Sequence, residues 1–243
     1  MPEARSPWAA DMLHGRLLAG LAARAVEGAG LDPALRLVRL TVDMFRAPPM
    51  TPLRVTTHEI RSGRRVRVVG VSIRTADVEV ARASALLLRG GPHPDAMMWR
   101  APEWNVALPE TLPSPGTADN DSGWDIRLLT PGGFWTAARK RLWARDRWQL
   151  VAGEALTPVV RAALAADLPN PLANSGADGL HFINADLTLF LGRPPVSERI
   201  GLEVAGHLGY GGIAVGSCTL YDASGAIGSS SVCSVTNITT LSQ

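Results

Sequence analysis

The chain has 243 residues, with 24 lysines and arginines against 22 aspartates and glutamates, so its formal net charge is only +2. Spread-out arginines and a 5% aromatic content argue against a nucleic-acid-binding surface. Two cysteines, Cys218 and Cys233, are too few for a secreted disulfide framework and lack the spacing of a metal site. Since no run of about 18 uncharged apolar residues could span a membrane, we expect a soluble cytoplasmic protein without metal or cofactor.

The first predicted element is a helix between Asp11 and Gly30 that is apolar on nearly every side. A helix of this kind must be buried all round, and a sheet wrapped around it achieves this in a domain of modest size. His14 and Gly15 fall in its first turn, where N–H groups lack intrahelical partners and glycine lets a ligand approach the backbone. The sequence therefore predicts that an acceptor oxygen binds there.

Four strand-like runs follow the helix, at residues 35–45, 53–60, 64–73 and 77–88. Each is rich in Val, Ile, Leu and Thr. Short turns at residues 62–63 and 76–77 separate the last three runs, which predicts an antiparallel meander. From residue 90 to 122 the chain is rich in proline without a sustained period and is predicted to be a linker, held to the surface by Trp99 and Trp104.

The second half begins with a predicted strand over residues 133–148 that carries a basic outer face. Thr157 and Pro158 are a good start signal for an apolar helix ending at Leu168, and the prolines at 169 and 171 are predicted to stop it. Further strands are expected at residues 181–192, 199–208, 212–222 and 226–237.

This order repeats that of the first half, which indicates an internal duplication. Each half has a buried helix, a long strand followed by a double proline (48–49 and 194–195), and a three-strand meander. We therefore predict an α+β protein of two tandem repeats, residues 1–91 and 123–243, joined by the linker at 92–122.

Four motifs resemble the acyl-CoA thioesterase II family: DMLHGRLLAGLAARA, VDMFRAPP, NADLTLFLGRPP and the meander containing GSCTLYD. The resemblance covers both halves. It implies a double hotdog fold, in which two helices are wrapped by one continuous antiparallel sheet. It also implies hydrolysis of a fatty acyl-CoA thioester to the free acid and coenzyme A, with acyl-CoA as the partner and homodimerisation of the chain.

The resemblance also points to site residues. Asp186, with Arg193-Pro194 closing its strand, matches a family Asp, whereas His14-Gly15-Arg16 stands where the family has Gly-Gly-Gln. The family orients water with an Asp, a Thr or Ser, and a Gln. Counting along the meander, the Gln position falls on Cys233 and the hydroxyl position falls near His207.

Thioester hydrolysis requires a group that orients or deprotonates water and donors for the oxygen that becomes negative. Asp186 is the candidate for the first role and the Gly15 N–H for the second, and we expect the two to face each other across the junction of the repeats. By the proline register, Asp43 is not the equivalent of Asp186. His14 and Arg16 are candidates for substrate binding, although a histidine at a helix start is more often a cap or a packing residue.

Other polar residues have competing interpretations. His207 either replaces the missing hydroxyl or lies at a solvated strand end. Cys233 has no histidine partner nearby in sequence and is expected to be a small buried thiol rather than a nucleophile. Two basic groups suit the phosphates of coenzyme A, but a solvated sheet face is favoured for both. They are Arg64, Arg65 and Arg67, and Arg139, Lys140 and Arg141.

Two classes of function remain open, a thioester hydrolase and a non-catalytic acyl or acyl-CoA binding protein on the same fold. A hydratase is discounted. The run from Asp167 to Ala173, DLPNPLA, is similar to the hydratase signature Asp-x-Asn-Pro-Leu-His, but it is one residue too long and ends in alanine instead of the catalytic histidine.

Overall fold

The computed structural model describes residues 4–6, 9, 11–99, 103–113 and 123–237. The helices are α1 (Arg16–Glu27), α2 (Pro158–Ala165) and α3 (Pro169–Ala173). The strands are β1 (Leu35–Met44), β2 (Arg54–Arg61), β3 (Val66–Thr75), β4 (Val78–Arg89), β5 (Trp124–Leu128), β6 (Arg141–Asp146), β7 (Ser175–Gly176), β8 (Gly179–Leu180), β9 (Phe182–Asn184), β10 (Asp186–Leu191), β11 (Ile200–Tyr210), β12 (Ile213–Asp222) and β13 (Gly225–Thr236). Within the described ranges, no helix is long and apolar enough to cross a membrane.

One continuous sheet of eleven strands spans both halves, in the order β2-β3-β4-β1-β10-β13-β12-β11-β6-β5, with β9 paired to the end of β13. All of these pairings are antiparallel, and β1 and β10 join the halves at the centre. The two helices α1 and α2 pack against each other within the core. The predicted double hotdog architecture is confirmed.

Helix α1 is buried along most of its surface, as predicted, with Arg24 and Glu27 exposed near its end. A Cβ atom added at Gly20 would lie 2.7 Å from Leu164 Cδ2, so glycine permits the close approach of α1 to α2. The helix begins at Arg16, later than predicted. The reason is that the N–H of Leu13 donates to Pro48 O and the N–H of His14 to Ala4 O, so this segment bonds to its neighbours before the helix starts.

The strand pairings repeat at a constant offset along the chain. Thr41 on β1 pairs with Ser84 on β4, and 147 residues later Thr188 on β10 pairs with Ser231 on β13. Thr41 and Thr188 also pair with each other, with their hydroxyl oxygens 3.1 Å apart, so they mark the axis that relates the halves. At this offset Asp186 corresponds to Arg39. The prediction that Asp43 is not its equivalent is therefore confirmed.

Several predicted elements differ from the structure. The strand predicted at 133–148 covers only residues 141–146, and its partner β5 was not predicted. The strand predicted at 181–192 is divided at Ala185 into β9 and β10. Helix α2 ends at Ala165, earlier than predicted, and Pro169 begins the next helix, because proline fits the first position of a helix.

The region predicted to be a linker contains one short 3₁₀ turn at residues 109–111, and its residues 100–102 and 114–122 lie outside the described ranges. Trp104 anchors this segment, as predicted, because its ring stacks on that of Tyr221 with centroids 4.2 Å apart. Trp99 is 86% exposed, so the prediction that it anchors the segment is wrong.

Candidate active site

The start of α1 is open to a ligand. Gly15 occupies the N-cap position without a side-chain cap, and its N–H donates to no acceptor in the part of the chain that the structure describes. A cavity of about 250 Å³ lies in front of it. The walls of this cavity come from the start of α1, from the end of β1 and the residues after it (44–48), and from Ile183, Asn184 and Ala185. Gly15 therefore lines a cavity at the helix start, where the sequence predicts that an acceptor oxygen binds.

His14 lies at the wall of this cavity as a neutral imidazole. Its Nδ1 accepts a hydrogen bond from the N–H of Arg16 at 3.3 Å and is 3.5 Å from Asp167 Oδ2. Burial, aided by the positive charge of Arg16, lowers the pKa of His14 to about 3. The ring is therefore uncharged at neutral pH.

Asp167 is the carboxylate that contacts the start of α1, and it was not among the predicted site residues. Its Oδ1 accepts from Asn184 Nδ2 at 2.8 Å, and it also accepts from the N–H of Arg16. Burial raises the pKa of Asp167 above its ordinary value, since the loss of hydration outweighs these bonds. In the sequence, Asp167 stood out only as the first residue of DLPNPLA, which is similar to a hydratase signature. That similarity was discounted and did not predict a contact with the start of α1.

A chain of buried amides leads away from Asp167. Asn184 contacts Asn170, whose Oδ1 accepts from Asn174 Nδ2 at 3.1 Å, and Asn174 Oδ1 in turn lies 2.8 Å from His207 Nδ1. His207 itself is exposed. The structure therefore links His207 to the interior through Asn174 and leaves the ring at the surface.

Asp186 lies where the pairing of β1 with β10 ends, directly opposite Asp43. Its Oδ1 accepts from the N–H of Cys233 at 2.6 Å. Asp186 does not line the cavity, although Ala185 next to it does. The N–H of Met44 donates to Ala185 O, and Met44 also packs against Gly15, so Asp186 and Gly15 flank the same end of the central strand pair.

Cys233 is exposed, so the prediction of a buried thiol is wrong. The reason is strand alternation, because Val232 and Ser234 on either side face the core. Partial burial and the neighbouring Asp186 carboxylate raise the pKa of Cys233, which disfavours the reactive thiolate.

The Arg16 side chain is enclosed and does not reach the surface. It is 2% exposed, forms an ion pair with Asp146, and lies over the ring of Trp124 at 4.5 Å from its centroid. Burial raises the pKa of Asp146 to about 6, against the opposing effect of Arg16. Arg16 Nε has no hydrogen-bond partner within the described residues.

A second cavity, of about 400 Å³, lies behind the first and shares His14, Asp167 and Asn184 with it. Arg16 and three aromatic residues, Trp124, Phe134 and Trp135, contribute to its walls. The shared residues therefore stand between a cavity at the sheet junction and a largely apolar one, an arrangement that suits a substrate with a polar centre and an apolar end.

The predicted basic group of Arg139, Lys140 and Arg141 is not a surface cluster, because Lys140 is buried. Lys140 is 2% exposed, and its Nζ donates to Leu172 O at 3.1 Å and Ser175 O at 2.8 Å. Burial lowers the pKa of Lys140. The prediction that Lys140 belongs to an exposed basic face is wrong, because its side chain turns inward to bond to the backbone near α3.

Both halves of the chain match protein-family models. Residues 4–88 match the acyl-CoA thioesterase N-terminal domain, and residues 93–231 match the acyl-CoA thioesterase C-terminal domain. No curated protein matches the chain in sequence.

Solved structures show the same fold at low identity. The tesB protein of Mycobacterium avium subs paratuberculosis is 15% identical, with a TM-score of 0.72 over 96% of this chain and 90% of that one. A putative thioesterase II from Thermobifida fusca is 16% identical, with a TM-score of 0.74 over 98% and 90%. An acyl-CoA thioesterase II from Mycobacterium marinum is 17% identical, with a TM-score of 0.66 over 91% and 90%.

Proposed function

Because the chain belongs to the acyl-CoA thioesterase family, we propose that it hydrolyses a fatty acyl-CoA thioester to the free acid and coenzyme A. The observation that carries this proposal is the start of α1, where Gly15 lines a cavity and its N–H has no partner within the described residues. Because the family acts on acyl-CoA thioesters, we take a thioester carbonyl oxygen as the acceptor for the Gly15 N–H.

In the proposed reaction, the carbonyl oxygen accepts the Gly15 N–H, and the positive end of the α1 dipole stabilises the charge that develops on it. Asp186 orients a water molecule and takes its proton as the water oxygen attacks the carbonyl carbon. The C–S bond then breaks, and the proton passes to the departing thiolate, so that a carboxylic acid and coenzyme A thiol leave the site.

The orientation of Asp186 and the position of its neighbours support this role, although Asp186 itself does not line the cavity. The N–H of Cys233 donates to Asp186 Oδ1 at 2.6 Å, which orients the carboxylate at the end of the central strand pair. Residues 184 and 185, which precede it in the chain, line the cavity in front of Gly15.

The test is thiol release from acyl-CoA substrates of graded chain length. Asp186→Asn preserves the shape of the side chain but removes its negative charge, so we expect kcat to fall by about 100-fold or more while acyl-CoA binding persists. Asp43→Asn is the matched control, since Asp43 pairs with Asp186 on the neighbouring strand and is itself exposed. Normal turnover of Asp186→Asn would remove that residue from the mechanism.

The second candidate function is a non-catalytic acyl-CoA binding protein. It is favoured by Cys233, which occupies the place of the family Gln and presents a thiol with a raised pKa rather than an amide. Binding of acyl-CoA without thiol release at any chain length would establish this alternative.

A further inference from the structure

The imidazole of His14 is placed beside the Gly15 N–H that the proposed hydrolysis uses. The two residues are adjacent, and both line the cavity at the sheet junction. His14 also lines the apolar cavity behind it. His14 therefore borders both cavities that meet near the start of α1.

The contacts of His14 Nδ1 bear on which ring nitrogen carries the proton. Nδ1 accepts from the N–H of Arg16 at 3.3 Å, which favours the neutral tautomer with the proton on Nε2, and Asp167 Oδ2 lies 3.5 Å from the same Nδ1. Nε2 donates to no acceptor in the described part of the chain, and the side chain is 21% exposed. Within the described residues Nε2 is thus a donor without a protein partner, on a side chain that lines the cavity.

The surroundings of His14 keep it uncharged. The N–H of Arg16 hydrogen-bonds to both His14 Nδ1 and the buried Asp167, which fixes the ring against the start of α1. Burial and the Arg16 charge hold the pKa of His14 near 3. A neutral imidazole at a helix N-terminus can donate a hydrogen bond to a carbonyl without giving up its proton, which suits it to stabilise an oxyanion.

We propose that His14 Nε2–H is the second donor to the thioester oxygen, beside the Gly15 N–H, and that Asp167 and the Arg16 N–H position its ring. This inference rests on the proposed hydrolysis. The attack of water on the carbonyl carbon moves an electron pair onto the carbonyl oxygen, and both donors then hold the negative charge. When the C–S bond breaks, that pair returns to form the carbonyl of the acid, and His14 gains and loses no proton.

The first test compares two substitutions of His14 by thiol release. Gln carries an amide N–H at nearly the reach of imidazole Nε2, so His14→Gln should keep kcat within about 10-fold of native. His14→Leu has no donor, and kcat should fall by about 100-fold with little change in KM, as expected when one oxyanion donor is removed. His58→Gln is the control for a histidine on an exposed strand.

The second test reads the tautomer directly in the native protein and then in two variants of Asp167. With histidine labelled with ¹⁵N in the imidazole ring, the native protein should show His14 as the neutral Nε2–H form at pH 7. Asp167→Ala should mix the two neutral tautomers, whereas Asp167→Asn, which keeps a polar group of the same shape, should preserve the native one. Native protein with His14 protonated, or carrying the proton on Nδ1, would overturn the inference.

The outcomes separate this inference from the proposed function. If the native protein releases no thiol, the hydrolysis itself fails. If the native protein is active, Asp186→Asn is impaired and His14→Leu turns over normally, then hydrolysis stands and His14 has no part in it. A fall in kcat for both His14→Leu and His14→Gln to the same level would also overturn the role of the Nε2–H donor.

Discussion

The two buried helices begin in opposite ways, although they belong to repeats of one architecture. At the start of α1, Gly15 has no side-chain cap and its N–H has no acceptor within the described residues. At the start of α2, Thr157 Oγ1 accepts from the N–H of Val160 at 3.1 Å, and Pro158 has no N–H to offer. The two repeats therefore share one scaffold, but only α1 of these two helices begins without a side-chain cap.

The strongest test of this difference removes the free donor from α1. Proline at position 15 fits the φ of −53° found there and deletes an N–H that has no partner within the described residues. We expect Gly15→Pro to lower kcat for acyl-CoA hydrolysis by about 100-fold or more, since the carbonyl oxygen loses a donor. Thiol release measures the effect, and Gly15→Ala, which keeps the N–H, should remain active.

The reciprocal substitution in α2 should affect stability and not turnover. Thr157→Ala removes the cap from α2, and we expect it to lower the free energy of unfolding by about 1 kcal/mol. Its kcat should stay at the native value. A loss of activity in Thr157→Ala comparable to that in Gly15→Pro would show that the two helix starts do not have the separate roles assigned here.

A second contrast lies at the ends of β3 and β12, where Thr75 and Asp222 occupy corresponding positions. The Asp222 carboxylate is buried, receives two bonds from Arg193 at 2.5 and 2.7 Å, and accepts from the N–H groups of Val196 and Ser224. Asp222→Ala should lower the free energy of unfolding by about 3 kcal/mol, because the guanidinium and two N–H groups lose their acceptor. Urea unfolding provides the measurement.

Thr75 is the control for this position in the first half. Its hydroxyl lies 2.8 Å from that of Thr51 in an exposed pair, so Thr75→Val should cost less than about 1 kcal/mol. If Asp222→Ala and Thr75→Val lowered the free energy of unfolding equally, the ion pair between Asp222 and Arg193 would add nothing to the stability of the turn between β12 and β13.

The smallest expected effect is the pH dependence of the stability that the Asp222 carboxylate contributes. Burial by itself raises the pKa of Asp222, but Arg193 and the two backbone N–H groups together hold it below its ordinary value. Stability from this group is therefore fully present above the unfolded pKa, about 4, and is lost as pH falls through the lower folded pKa. Asp222→Asn should lose less stability than the native protein between pH 5 and pH 2, measured by urea midpoints.

Most of the secondary structure followed from local patterns. The apolar character of residues 16–27, with Gly28 at the end of the helix, made α1 predictable, and alternating β-branched residues with short turns made both meanders predictable. The strands β5 and β6 were harder to predict. The loop between them contains aromatic residues, Phe134 and Trp135, that were predicted to belong to the strand at 133–148, and β5 lies at the edge of the proline-rich region.

The candidate site was only partly predictable for a different reason. Gly15 and Asp186 were predicted as site residues from the chemistry of a helix start and from the family motif, and both roles stay predictions. The side on which Cys233 emerges depends on the register of β13, and the inward turn of Lys140 depends on carbonyl groups of the distant residues 172 and 175. Neither can be derived from neighbours in sequence.

By itself the sequence determined two helix-and-meander repeats, because the spacing of apolar residues, prolines and glycines acts over a few residues at a time. Only the tertiary structure decided that His14 of the first half meets Asp167 of the second, 153 positions later in the chain. That contact exists because β1 pairs with β10 and draws the start of α1 against the end of α2. The properties of the site, a neutral imidazole and a buried carboxyl group, follow from this burial and from no local feature of either segment.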